Sequence, residues 1–294
     1  MKAVEPSVTR QQATGEAPAR TPGIDVSRWQ REINWRKVAA AGHRFAVCRA
    51  TIGNYSTDYR FYINWERAQE AGLLISAYHV LAPERPVDSQ MERFFDTLDG
   101  RSADLPLVLD VELSRGVSPE DIAASVQACA DIIEQEDGRK PVIYTARWFW
   151  DRSVRDGSQW AAYDLWVAHY GIDAPRLPRA WDEWTFWQYS DHGQVSGIGP
   201  ATDLNWFNGS YDELREYAAA EGRTDEMPLA GLQACVAVDE LGLRSGPGMN
   251  YGRVGKLSRG DVVNVVSVSG DDVWIQVEAG KWAPFRARNK RYME

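Results

Sequence analysis

The stretch Leu105-Pro-Leu-Val-Leu-Asp-Val-Glu112 decides how the rest of the chain is read. Leu107 to Leu109 form an apolar run of the kind found in a buried strand, and its C-terminal end abruptly presents two acids, Asp110 and Glu112. Side chains two apart on a strand share a face, so the two Cα atoms would lie about 6.6 Å apart. Burying two carboxylates side by side splits their ionisation, which keeps one protonated as an acid and the other charged. Such a pair at the end of an apolar strand points to general acid chemistry.

Outward from this segment, short apolar runs alternate with helical patterns. The predicted strands are Gly23 to Ser27, Phe45 to Arg49, Leu74 to Val80, Leu105 to Glu112, Pro141 to Thr145, Leu165 to Tyr170, Glu183 to Tyr189 and Ala201 to Asn205. The clearest helix starts with Ser118 as cap and Pro119 in the first turn, with Asp121 completing a capping box. It carries an apolar stripe of Ile122, Val126, Cys129 and Ile133, and stops at Gly138. Gly42 and Gly72 end the patterns Trp35 to Ala41 and Phe61 to Ala71 in the same way. About eight strands alternating with helices imply a largely parallel sheet closed into an α/β barrel.

In such a barrel the C-terminal strand ends form the catalytic mouth. Asp25, in Gly-Ile-Asp-Val-Ser, and Asp203, in Ala-Thr-Asp-Leu-Asn, sit near the ends of other strands. Four carboxylates can therefore converge, although any one of them taken alone is more simply read as a helix cap or an ion-pair partner. Tyr78, Tyr144, Tyr170, Trp187 and Tyr189 occupy the same strand ends, and Trp29 follows the first strand; flat rings with polar edges suit packing against sugar faces. With 13 Trp in the chain, most rings must be core. His79 is placed to hydrogen-bond an acid or a substrate, with a structural role the simpler reading. The four histidines show no metal-ligand spacing and no Gly-x-Ser-x-Gly elbow occurs, so neither a metal, a cofactor nor a serine nucleophile is expected.

Composition limits the alternatives. The chain has 294 residues and a net charge of -9, which argues against a nucleic-acid partner. No stretch has the roughly 18 apolar residues of a membrane span, and Met1 to Thr21 lacks the apolar run of an export signal; synthesis in the cytoplasm without a signal peptide, and no membrane insertion, are therefore expected. Cys48, Cys129 and Cys235 are odd in number and widely spaced, and read as reduced, small core residues. Residues 1–22 read as a flexible arm, 23–217 as the barrel, 218–232 as a linker and 233–294 as a small all-β domain. Its expected strands are Val236 to Val238, Val254 to Leu257, Val262 to Val268, Val273 to Val277 and Trp282 to Phe285. Residues 232–294 carry nine Lys/Arg against seven Asp/Glu, so the acidic excess lies wholly in the larger part; the closing Arg286, Arg288, Lys290 and Arg291 suit an anionic polymer or a solvated terminus equally.

The first part resembles glycoside hydrolase family 25, the Chalaropsis-type lysozymes found among phage endolysins and bacterial autolysins. The resemblance rests on Gly23-Ile-Asp-Val-Ser27, Ala77-Tyr-His-Val80, Leu109-Asp-Val-Glu112, Pro141-Val-Ile-Tyr-Thr145, Leu165-Trp-Val-Ala168, Trp187-Gln-Tyr189 and Asp203-Leu-Asn205. It implies a distorted, TIM-like β/α barrel with an irregular last third. It also implies cleavage of the β-1,4 bond after N-acetylmuramic acid in bacterial peptidoglycan. Glu112 is implied as the acid and Asp110 as its partner, with Asp25 and Asp203 in the same cleft and Trp166 and Gln188 joining the rings and His79 as sugar-binding residues. Asp110 either orients the substrate's own acetamido group for attack, the preferred route, or a carboxylate attacks directly or activates water. Chitinase-like barrels share Asp-x-Glu, but their longer pattern needs Asp where Leu105 and Val108 stand. The second part resembles bacterial Src-homology-3-like wall-binding domains, through Leu243-Arg-Ser-Gly-Pro-Gly248, Tyr251, Val254-Gly255, Lys256-Leu257 and Gly260-Asp-Val-Val263, with Lys281-Trp-Ala283 in place of the usual Gly-Trp-Val. A non-catalytic wall-binding or virion component, a glucosaminidase, a lytic transglycosylase and an amidase remain the alternatives.

Overall fold

A computed structural model of the chain describes residues 19–220, 233–245, 252–264, 267–269, 274–278, 281–284, 286–287 and 290–291. It divides into two compact units, Met1–Glu221 and Gly222–Glu294.

The first unit is a closed eight-stranded barrel. Its strands are β1 (Thr21–Val26), β2 (Phe45–Ile52), β4 (Leu74–Val80), β5 (Val108–Asp110), β6 (Val142–Ala146), β7 (Leu165–Ala168), β8 (Phe186–Gly193) and β9 (Thr202–Phe207); a two-residue β3 (Ser56–Thr57) lies against β2. From β1 round to β8 every neighbour is parallel. β9 then closes the ring antiparallel to both β8 and β1, which makes the last part of the barrel irregular. The helices are α1 (Trp35–Ala40), α2 (Phe61–Glu70), α3 (Val87–Leu98), α4 (Pro119–Asp137), α5 (Arg147–Ser153) and α6 (Tyr211–Ala220).

Local chemistry sets these boundaries. The Ser118 hydroxyl accepts from the Asp121 N–H at the start of α4, and Gly138 ends it in the left-handed region at φ 77°. β1 starts at Thr21, two residues into the segment read as a flexible arm, because its ladder to β9 reaches Phe207. α6 runs to Ala220, three residues into the segment read as a linker. Ala19 and Arg20 precede β1, and the remainder of both segments lies outside the described residues.

Strand alternation sorts side chains into two cores. Phe45, Val47, Val108, Val142, Phe186 and Phe207 fill the inside of the barrel, with Phe186 edge-on to Phe45 at 5.3 Å. Gly23 faces them, and any side chain there would run into the Phe45 ring. Ile24, Ala46, Cys48, Ile75, Leu109, Ile143 and Val167 point the other way, under the helices. The plug of rings closes the lower barrel, so inward positions two residues further along, such as Arg49, Asp110, Tyr144 and Gln188, open at the mouth.

Among the described residues of the second unit every strand pairing is antiparallel. β10 (Gln233–Cys235) pairs with β13 (Val262–Asn264). β11 (Glu240–Arg244), β12 (Arg253–Ser258), β14 (Ser267–Ser269), β15 (Trp274–Glu278) and β16 (Lys281–Pro284) form a five-stranded sheet, and β17 (Arg286–Ala287) pairs with β18 (Lys290–Arg291). Its core is Ala234, Val236, Leu241, Leu243, Ile275 and Ala283. β11 has no counterpart among the expected strands, because Gly242 interrupts a period only two leucines long; those leucines are nonetheless its buried face. The first strand falls at Gln233–Cys235 rather than at Val236 to Val238. Gly246 to Gly248, Tyr251, Phe285 and Arg288 lie outside the described residues. Cys48 and Cys129 are buried as expected of core residues, but Cys235 is exposed.

Candidate active site

A cleft of about 270 Å³ opens at the barrel mouth, lined by Asp25, Asp110, Glu112, Asp191 and Asp203, by Tyr78, Tyr144, Trp166, Tyr170 and Trp29, and by Gln188 and Arg49. All four acids expected from the sequence meet here, each through a different local placement. Asp110 is the last residue of β5, and Glu112 lies beyond the strand rather than on it. Asp25 is an inward residue of β1. Asp203 is the second residue of β9, so it reaches the mouth only because that strand runs backwards relative to the others. The expectation that it sits at a C-terminal strand end is therefore corrected: the position holds, for the opposite reason.

β9 pairs Asp25 directly with Asp203, and opposed residues of an antiparallel pair have close Cβ atoms. Two charges there would repel, which favours a proton on Asp203. Burial and the Asp25 charge push Asp203 up to about 9. Asp25 is raised by burial, against hydrogen bonds that favour its charged form. Its Oδ2 accepts from Gln188 Nε2 at 2.8 Å and from Asn205 Nδ2 at 2.8 Å. Both amides are themselves oriented: Gln188 Oε1 accepts from the Tyr144 and Tyr170 hydroxyls at 2.8 and 2.7 Å, and Asn205 Oδ1 from Trp166 Nε1 at 2.9 Å. Each amide can therefore present only its NH₂ to Asp25.

The other wall is built differently. Asp110 is buried, and its Oδ1 has no hydrogen-bond partner. Burial raises its carboxyl, and the charges of Glu112 and Asp25 add to this. Burial likewise raises Glu112, with Asp25 reinforcing it, so both carboxyls of this wall are biased towards carrying a proton.

Three expected sugar-binding residues are not in the cleft. His79 follows Tyr78, which faces in, so His79 faces out. It is buried between Thr51 Oγ1 at 2.7 Å from Nδ1 and Gln90 Oε1 at 3.3 Å from Nε2, and desolvation pushes it down to about 4. Trp187 and Tyr189 flank the inward Gln188 and face out for the same reason: Trp187 Nε1 donates to the His169 carbonyl, and Tyr189 stacks on Trp206 at 5.0 Å. Tyr78, Tyr144, Trp166, Tyr170, Gln188 and Trp29 do line the cleft, with Trp29 64% exposed at its rim.

Residues 24–198 match the model of glycosyl hydrolases family 25, more than half of the chain. The chain belongs to glycosyl hydrolases family 25. Within the family it is similar to Lysozyme M1 of Streptomyces globisporus, 37% identical over 203 residues that cover 65% of this chain and 69% of that one. It is also 28% identical to the N,O-diacetylmuramidase of a Chalaropsis species over 211 residues, 67% of this chain and 98% of the other. Among solved structures, the bacterial lysozyme from Streptomyces coelicolor superposes with a TM-score of 0.66 at 35% identity, over 69% of this chain and 98% of that one. Residues 239–284 match the bacterial SH3 domain model, so this family 25 enzyme carries a second recognised domain.

Arg49, Asp191 and Asn205 are site residues that the sequence reading missed. Arg49 had a signal, a lone charge closing the apolar run Phe45-Ala-Val-Cys48, as did Asn205, two residues after Asp203 and so on its face. Asp191 had none, because the register of β8 shifts after Gln188 and again after Ser190, which breaks the alternation.

Proposed function

We propose that the chain is a muramidase that hydrolyses the β-1,4 bond between N-acetylmuramic acid and N-acetylglucosamine in bacterial peptidoglycan. Glu112 protonates the glycosidic oxygen as the bond to the anomeric carbon breaks. The carbonyl oxygen of the sugar's own acetamido group closes on that carbon, and Asp110 holds the acetamido N–H. Glu112, now a carboxylate, takes a proton from the water that opens the ring intermediate. The observation that carries this reading is the unpartnered, buried Oδ1 of Asp110 beside Glu112, since a buried acceptor left unsatisfied costs about 1–3 kcal/mol unless a ligand fills it. Asp25 and Asp203, held among oriented amides, form the polar floor, and the Trp29 and Tyr170 rings line sugar faces.

Digestion of purified peptidoglycan followed by mass spectrometry tests this. Reducing-end N-acetylmuramic acid with intact stem peptides is the expected product. Reducing N-acetylglucosamine, an anhydro sugar or free peptides would each replace the reading with one of the alternatives, and no product at all would favour a non-catalytic wall binder. We propose further that the bacterial SH3 domain tethers the enzyme to the wall and so raises its local concentration. We propose an endolysin as the setting, in which case the purified protein should lyse bacterial cells whose wall is exposed to it.

A further inference from the structure

Among the residues lining the cleft, Arg49 is the single basic side chain, against five acids. It is almost buried, its side chain 11% exposed, and is held by an acid outside the cleft, Asp58, whose side chain is 1% exposed. Asp58 Oδ2 accepts from Arg49 Nε at 3.0 Å and Nη2 at 2.9 Å, and also from the Arg28 backbone N–H at 3.0 Å; its Oδ1 accepts from the Arg60 N–H at 3.0 Å. The Asp58 N–H donates to the Ala50 carbonyl at 2.8 Å, at the point where the β2–β4 register slips between Arg49 and Thr51. A bulge re-aims the side chains around it. Asp58 thus pins the bulge, the guanidinium and the Arg28 backbone of the turn bearing Trp29 and Gln30.

We propose that Arg49, clamped by Asp58, is the positioning cation of the cleft, whose fixed positive charge lets the acids of β1 and β5 work ionised in close company. Facing it are Asp25 on β1, Tyr78 on β4, Asp110 at the end of β5 and Glu112 just beyond. Arg49 favours the charged form of every one of them. Asp203 and Asp191 line the same cleft from β9 and β8. Without Arg49, burial and mutual repulsion would keep Asp25 and Asp110 protonated to higher pH, so the cleft would reach its working charge, Asp110 ionised beside protonated Glu112, only at higher pH. Ion pairing alone would explain the contact but not why Asp58, rather than a cleft acid, is its anchor: an anchor outside the cleft leaves the catalytic oxygens uncommitted.

The test is the pH dependence of kcat/KM on soluble peptidoglycan fragments for the wild type, Arg49→Gln, Arg49→Lys and the double variant Arg49→Gln/Asp58→Asn, which leaves no lone buried carboxylate. This kinetic readout rests on the muramidase reading. The acidic limb should move up by about one unit in Arg49→Gln and in the double variant, an about tenfold loss at low pH carried by kcat rather than KM, while Arg49→Lys stays close to wild type. Carbon-13 carboxyl NMR follows Glu112 without turnover, its signal assigned by its loss in Glu112→Gln, and its midpoint should rise likewise. Limbs and midpoints that superimpose on wild type in folded Arg49→Gln or the double variant overturn the proposal. A wild type that cuts no peptidoglycan overturns the muramidase reading instead and leaves the NMR titration to judge Arg49.

Discussion

Asp25 and Asp110 are both buried acids at the mouth of one barrel, yet Asp25 is gripped by Gln188, Asn205 and Asp203 while Asp110 turns an oxygen to no partner. The β1–β9 wall is a finished hydrogen-bond network, which rigidifies when every member is satisfied. The β5 wall is unfinished in the same sense, and an unfinished buried group is where a substrate makes contacts that the protein alone does not. Stability and chemistry are thus separated across a few ångströms, which makes the contrast testable.

The largest effect should come from the β5 wall. Glu112→Gln keeps the shape and removes the proton donor, so kcat should fall by about 10³-fold with the melting temperature unchanged; near-wild-type lysis of peptidoglycan by this variant would sink the assignment. Asp110→Asn should cost about 10²-fold in kcat with little change in KM, measured on the same fragments, and a loss confined to KM would make Asp110 a binding group only.

The β1–β9 wall should respond first in stability. Gln188→Met leaves Asp25 short of a donor and two tyrosine hydroxyls without their acceptor, a loss of about 2 kcal/mol, so its melting temperature should drop by roughly 4–8 °C. An unchanged melting curve would mean that the network contributes no stability. Asp203→Asn gives the smallest and most conditional effect. A carboxyl whose folded pKa lies above its unfolded value stabilises the fold fully at low pH, and this contribution is lost as pH rises from about 4 towards about 9. The wild type should therefore lose melting temperature across that window, whereas Asp203→Asn should be flatter and exceed wild type by a few degrees at pH 8. Parallel curves would contradict the proton on Asp203.

The two faces of a single strand show where reading from sequence succeeds and where it stops. Apolar runs ending in acids placed the mouth, because burying a charged strand end needs a functional reason. The aromatic residues at those ends were grouped by position, although alternation allows only Tyr78 of the Tyr78-His79 pair, and only Gln188 of Trp187-Gln-Tyr189, to face in. Applied strictly, the two-residue period would have excluded His79, Trp187 and Tyr189 and added Asn205. It would not have found Asp191, beyond two register slips, or Asp58, whose partners Arg49 and Arg28 stand 9 and 30 residues away.

The sequence by itself determined the family, the alternation of strands and helices, the second all-β unit and the acids at the mouth, since each is written in local periodicity and short motifs. Only the tertiary structure decided that β9 runs backwards and sets Asp203 against Asp25, that Asp58 holds Arg49 over the cleft, and that Asp110 alone among the barrel acids keeps a buried oxygen free. Those facts depend on which strands become neighbours when the barrel closes, and closure is a property of the whole ring rather than of any segment in it.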